Sequence, residues 1–289
     1  MKHTIDELLH GVNGLVTLPV VFVRINQLLE NPNSSTEDIA RAINLDPAFT
    51  VRLLGVANST FYGFAATVDT AEKAVSIIGT RQIANLALST AIASSFSKLP
   101  NKLVSMAHFW QHSLYCALAA RKLARLCGIK EADALFTAGL LHDIGELVIF
   151  NRLPQEATEA LLLVQGSADE LAMYQAEQLT LGFDHAQVGA ALARHWKLPP
   201  VLQDCISFHH EIHAAKQHPR EVALVHIANI LAQMAEIKTL DLADVGAVDP
   251  AAWELAGLAA SDVVTQVVTE IQSEFVETEK LFFAKDTVS

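Results

Sequence analysis

Apolar residues recur at intervals of three and four along most of this chain, and the breaks carry the chemistry of helix starts and stops, not of hairpin turns. Asp46-Pro47 and Asp249-Pro250 pair an N-cap acceptor with a proline at the first helical position. Ser34-Ser35-Thr36-Glu37 offers a capping box from Ser34 to Glu37, while Asp184 and Ser261-Asp262 supply further starts. Packed helices are what such punctuation permits. With 51% hydrophobic residues but only 7% aromatics, the chain can bury a large core and lacks the residues that favour a sandwich or barrel. The predicted class is all-α.

The pattern predicts helices from Val20 to Leu29, from Thr36 to Ile43, from Pro47 to Ala57, from Thr70 to Ile78 and from Arg81 to Phe96. Further helices are expected over 105–127, 132–150, 155–164, 184–196, 201–210 and 221–237, with an amphipathic one after Asp262. No internal repeat or low-complexity linker appears, and Leu99-Pro100-Asn101 marks a soft boundary. The expected organisation is an N-terminal helical lobe over 1–100, a second lobe over 101–240, and a C-terminal helical extension over 241–289 that packs on the core.

A formal charge of −12 disfavours nucleic acid and anionic membranes as partners. The best basic cluster, Arg121, Lys122 and Arg125, reads as a solvated outer stripe. Residues 34–57 resemble a helix-turn-helix, but the second helix carries only Arg52 as a cation, too little to neutralise phosphates and read bases. Three scattered cysteines, Cys116, Cys127 and Cys205, form neither a disulfide framework nor a CxxC zinc motif, as expected in a reducing cytoplasm. Asp6 and Glu7 stand where a signal peptide needs apolar residues, and no window is apolar enough for a membrane span, so neither export nor insertion is expected.

The sharpest chemical signal is Leu140-Leu141-His142-Asp143-Ile144-Gly145, a polar doublet inside one of the most apolar runs of the chain. Buried without partners it would cost several kcal/mol, so a metal or a hydrogen-bonded network must satisfy it. His112, His185 and the doublet His209-His210 lie on other predicted helices or helix ends. Each has a structural reading as a surface, cap or loop residue. Together, neutral imidazoles and one bridging carboxylate suit iron, manganese, zinc or nickel better than calcium or magnesium, with one or two ions.

The order His, His-Asp, His, His-His across residues 112–210 resembles the HD-domain superfamily of metal-dependent phosphohydrolases. A closer resemblance is to the HDOD family, the HD-related output domains of bacterial signalling. It rests on Leu18-Pro19, Asp46-Pro47-Ala48, Leu53-Leu54, Ala57-Asn58-Ser59, Phe61-Tyr62-Gly63, Ala74 and Ile78-Gly79 in the first half. His185-Ala186-Gln187-Val188-Gly189, Trp196-Lys197-Leu198-Pro199 and His209-His210 continue it, so that it covers residues 15–237.

The resemblance implies a two-lobed helical bundle with an HD-like second half, and a cytoplasmic bacterial output or regulatory module acting through protein partners. It makes His112, His142, Asp143, His185, His209 and His210 the candidate ligands of a divalent transition metal, with no residue singled out as catalytic. The alternative it leaves open is a metal-dependent phosphohydrolase acting on a nucleotide or cyclic dinucleotide. Two positions depart from the active pattern. Glu146 stands where hydrolases of the superfamily usually carry Lys, reversing the charge offered to a phosphate, and Asn229 stands where they supply a last Asp ligand.

Overall fold

A computed structural model of the chain describes residues 3–10, 18, 20–59, 62–64, 67–96, 103–165 and 171–283. Among them there is no strand. In chain order the α-helices are α1 (Ile5–His10), α2 (Val20–Glu30), α3 (Thr36–Asn44), α4 (Pro47–Ala57), α5 (Ala71–Ile78), α6 (Thr80–Phe96), α7 (Met106–Leu126) and α8 (Ala132–Leu141). Then follow α9 (Ile144–Arg152), α10 (Pro154–Leu163), α11 (Leu171–Thr180), α12 (His185–His195), α13 (Pro200–Phe208), α14 (Pro219–Ile237), α15 (Pro250–Ala256) and α16 (Ala260–Phe283). No helix among the described residues is long and apolar enough to cross a membrane. The expected boundary at Leu99 to Asn101, with Pro19 and Phe61 of the quoted motifs, lies outside the described residues.

The chain divides into two compact units, each described here by itself. One takes residues 16–98 and 273–289. In it α3 packs on α2, α4 and α5, and α6 packs on α2, α4 and α5. Asp46 caps α4 by accepting the Phe49 amide, and Asn58 holds the following loop by exchanging two hydrogen bonds with the Val68 backbone at 2.7 and 2.8 Å. The capping box of α3 sits one residue later than expected: Ser35 caps, and Asp38 answers it, because Asp38 is the residue at N3 of the actual helix start.

The other unit takes residues 1–15 and 99–272. Its centre is α7, almost wholly buried and packed along α8 and α14, with α9 on α12, α12 on α13 and α15 on α14. Arg121 is no outer stripe. It is buried, and its Nε donates to Asp133 Oδ1 at 2.7 Å, tying α7 to the first turn of α8, while Lys122 reaches Glu270 of α16 at 2.7 Å. The start of α16 also differs, because Ser261 and Asp262 lie within its first turn and do not precede it.

The single helix expected over 132–150 is two helices, α8 and α9, broken at the His-Asp doublet. The reason is local. His142 Nδ1 donates to the Gly139 carbonyl at 2.8 Å, the group that the Asp143 amide would use in an uninterrupted helix, and Asp143 leaves helical geometry at φ −96°, ψ 14°.

Two glycines set how closely these helices approach. A Cβ on Gly139 would lie 2.8 Å from the Cys116 carbonyl oxygen and 2.9 Å from Ala117 Cα, so α8 rests directly on the α7 backbone. On Gly145 it would lie 2.0 Å from the His185 carbonyl oxygen and 2.7 Å from the Gly189 nitrogen, so α9 rests on α12 in the same way. Backbone cannot yield as a flexible side chain does. Gly139→Ala and Gly145→Ala should each destabilise the protein by about 1–3 kcal/mol or more, the usual cost of overpacking. Urea unfolding checks this, and a midpoint equal to wild type would show that the helices have room to part.

Candidate metal centre

All six histidine and aspartate candidates lie in one unit, and the structure brings them together. His112 comes from α7, His142 and Asp143 from the break between α8 and α9, His185 from the first residue of α12, and His209-His210 from the end of α13. The ligand-competent atoms of Asp143, His185, His209 and His210 lie within 4.8 Å of one another, as do those of His112, His142 and Asp143. Asp143 belongs to both groups.

Around its two oxygens the imidazoles divide. His185 Nε2 lies 3.4 Å and His209 Nε2 3.5 Å from Asp143 Oδ1, and His210 Nε2 lies 2.9 Å from His185 Nε2. On the other side His142 Nε2 lies 2.9 Å and His112 Nε2 3.7 Å from Asp143 Oδ2. Ligands bound at 2.0–2.2 Å to one transition metal stand roughly 3 to 3.6 Å from their neighbours, which is the range seen here.

The outer hydrogen bonds fix which nitrogen faces inward. His142 Nδ1 meets the Gly139 carbonyl at 2.8 Å, His209 Nδ1 the Ile206 carbonyl at 3.0 Å, and His185 Nδ1 the Glu177 carboxylate at 2.7 Å. Each acceptor requires N–H at Nδ1, so each ring, when neutral, presents its Nε2 lone pair toward Asp143. His142 Nε2, His209 Nε2 and Asp143 Oδ1 are buried with no hydrogen-bond partner. Lone pairs converging on a carboxylate need a cation among them, and the set fits a divalent metal by its donor chemistry.

Without an ion, protons on two of the imidazoles take the cation's place beside Asp143. Burial would raise the Asp143 carboxyl, yet the facing imidazoles, His142 foremost, hold it well below the usual carboxylate range. Burial, with His210 alongside, pushes His209 down to about 3, leaving it neutral. For His142 and His185 burial acts downward too, but Asp143 and Glu177 respectively outweigh it and raise both well above the ordinary histidine value.

The two departures occupy the same place. Asn229 Oδ1 of α14 lies 2.8 Å from His112 Nε2, so it completes the Oδ2 side with a neutral oxygen. Glu146 sits one turn into α9, and burial, then the charge of Asp143, pushes its carboxyl up to about 8. Near neutral pH it carries its proton, and offers a hydrogen bond in place of the reversed charge expected of it.

A cavity of about 220 Å³ opens onto the centre, with His112, Asp143, His185 and His210 at its base and Glu146 and Gln233 among its walls. Neither Lys nor Arg is among the described residues that line it. Other contributors escaped the sequence reading: Glu177 and Tyr174 on α11, and Glu236 on α14, which lies 3.4 Å from His112 Nδ1. Helix α11 carries no cap or ligand motif, and only Glu236, one helical turn pair beyond Asn229 on the same face, had a spacing that could have exposed it. His226, also unforeseen, donates from Nδ1 to the His209 carbonyl at 2.7 Å and accepts the Asp249 amide at Nε2, which holds the His-His doublet in place.

A protein of Treponema pallidum (strain Nichols), itself uncharacterised, is 26% identical over 231 residues, covering 79% of this chain and 44% of its own length. The chain thus spans less than half of that relative. Among solved structures, an HDOD domain protein of unknown function from Geobacter sulfurreducens is 25% identical with a TM-score of 0.73, covering 96% of this chain and 97% of its own. A proposed phosphohydrolase from Shewanella amazonensis SB2B matches with the same identity and TM-score, covering 95% and 97%. The family model for the HDOD domain matches residues 15–212, well over half of the sequence. This chain belongs to the HDOD family.

Proposed function

We propose that the protein is a regulatory or output module of bacterial signalling that works through protein partners and retains a metal centre as a structural or sensory element. The observation that carries this reading is the asymmetry about Asp143. Its Oδ1 side gathers three imidazoles, whereas the Oδ2 side ends in the neutral Asn229 at 2.8 Å from His112. An amide oxygen is a much poorer ligand than a carboxylate, so one ion held by Asp143, His185, His209 and His210 is favoured over a balanced pair. Iron, manganese, zinc and nickel all suit that donor set.

The cavity argues in the same direction. Phosphate recognition ordinarily draws on Arg or Lys, and none is among the described residues that line this one. At about 220 Å³ it is also smaller than the roughly 300–1000 Å³ of pockets that enclose drug-sized ligands.

The second reading, a metal-dependent phosphohydrolase of nucleotides or cyclic dinucleotides, draws support from the six convergent candidates. A bound metal would supply polarisation of the phosphate ester and an activated water. Among the chain's own groups, Glu146 would hold a proton beside such an ester.

Elemental analysis of protein purified without chelator or histidine tag is expected to find about one equivalent of transition metal, lost in the His142→Ala, Asp143→Ala double variant. Folded wild type without metal would make the cluster a hydrogen-bonded network only. Asn229→Asp, which adds the missing charge, is expected to raise occupancy toward two equivalents; unchanged stoichiometry would show that Asn229 does not limit the second ion. With manganese or ferrous iron added, hydrolysis of nucleotides and cyclic dinucleotides is expected to stay at the level of Asp143→Ala. Specific turnover abolished by that substitution would establish the hydrolase reading.

A further inference from the structure

We infer that Glu177, on a helix that supplies none of the six candidate ligands, is the positioning residue that makes His185 competent to bind metal; the inference rests on the metal-centre reading above. The argument begins with where each histidine sits on its helix. His142 and His209 are C-cap residues of α8 and α13, and each finds an acceptor for Nδ1–H in the carbonyl three residues back, one of the groups that every helix C-terminus leaves unsatisfied. Their inward lone pairs follow from capping alone.

His185 has no such resource. It is the first residue of α12, and a helix N-terminus presents spare amides, not spare carbonyls. Its ring needs an acceptor from elsewhere, and its own amide is one of the spare donors. Glu177 meets both demands with one atom: Oε2 accepts the His185 amide at 2.7 Å and Nδ1–H at 2.7 Å. The Glu177 side chain is fully buried, and its ion-pair partner among the described contacts is His185. Burying a carboxylate is costly, so this contact is a demanding one to maintain.

Without Glu177 nothing holds the proton on Nδ1, and the tautomer with Nε2–H, which cannot ligate, becomes available to His185. Tyr174, one turn earlier on α11, leans on the neighbouring candidate ligand: its ring centre lies 4.9 Å from that of His210, and its hydroxyl donates to Glu211 at 2.7 Å. One face of α11 therefore backs the Oδ1 side of the centre.

The test is cobalt binding to the full chain, followed by visible absorption, for wild type, Glu177→Ala and Glu177→Gln, with circular dichroism to confirm folding. Glu177→Ala should lose affinity by about 10–100-fold, the usual effect of removing an outer-shell partner, with shifted cobalt bands. Glu177→Gln, which keeps an acceptor oxygen, should recover part of the loss. A folded Glu177→Ala protein with wild-type affinity and spectrum overturns the inference. Should that variant fail to fold, Glu177→Gln decides: lower affinity with altered bands supports the role, and unchanged values overturn it. Wild type that takes up no cobalt overturns the metal reading itself, whereas loaded wild type with indifferent variants overturns only the role of Glu177.

Discussion

Asp143 faces four imidazoles at once, and much of the larger unit is arranged to make that approach tolerable. Its two oxygens lie 2.9 to 3.7 Å from Nε2 atoms supplied by α7, the α8–α9 break, α12 and the end of α13. Four separate segments must meet within a few ångströms, which requires backbones to touch. Gly139 and Gly145 permit it by removing the side chains that would hold α8 from α7 and α9 from α12. The break between α8 and α9 follows from the same demand, since a continuous helix could not free Gly139's carbonyl for the His142 ring.

Much of this was legible in the residues. Asp46 and Asp184 each accept an amide at the helix start where they were expected to cap. The His and His-Asp signals stand out because polar residues in apolar runs have few reasons to be there. What stayed hidden depends on partners distant in sequence. Arg121 looked solvated because its helix gives no sign of Asp133 twelve residues on, and the apolar continuity of 132–150 concealed a break that only the inward-turned doublet explains. Glu177 answers an amide and a ring eight residues away, across the turn from α11 to α12, at a spacing that belongs to no helix or strand period.

Family membership and local chemistry carry different information. The HDOD match establishes descent and fold across residues 15–212, while Asn229 and Glu146 describe what this particular chain does with them. A neutral amide and a carboxyl raised by burial stand beside the imidazole cluster.

Neither unit is contiguous in the chain. The unit formed from 16–98 is closed by residues after 272, with Phe282 buried and Leu281 placed where a Cβ on Gly55 of α4 would meet it at 3.4 Å, while α1 packs on α12 of the other. During synthesis, the N-terminal helices α2 to α6 leave the ribosome long before the second half of α16 exists to cover them. Their core is completed only by residues that follow the whole 99–272 segment, so vectorial folding here runs against the usual order in which the first-made domain finishes first.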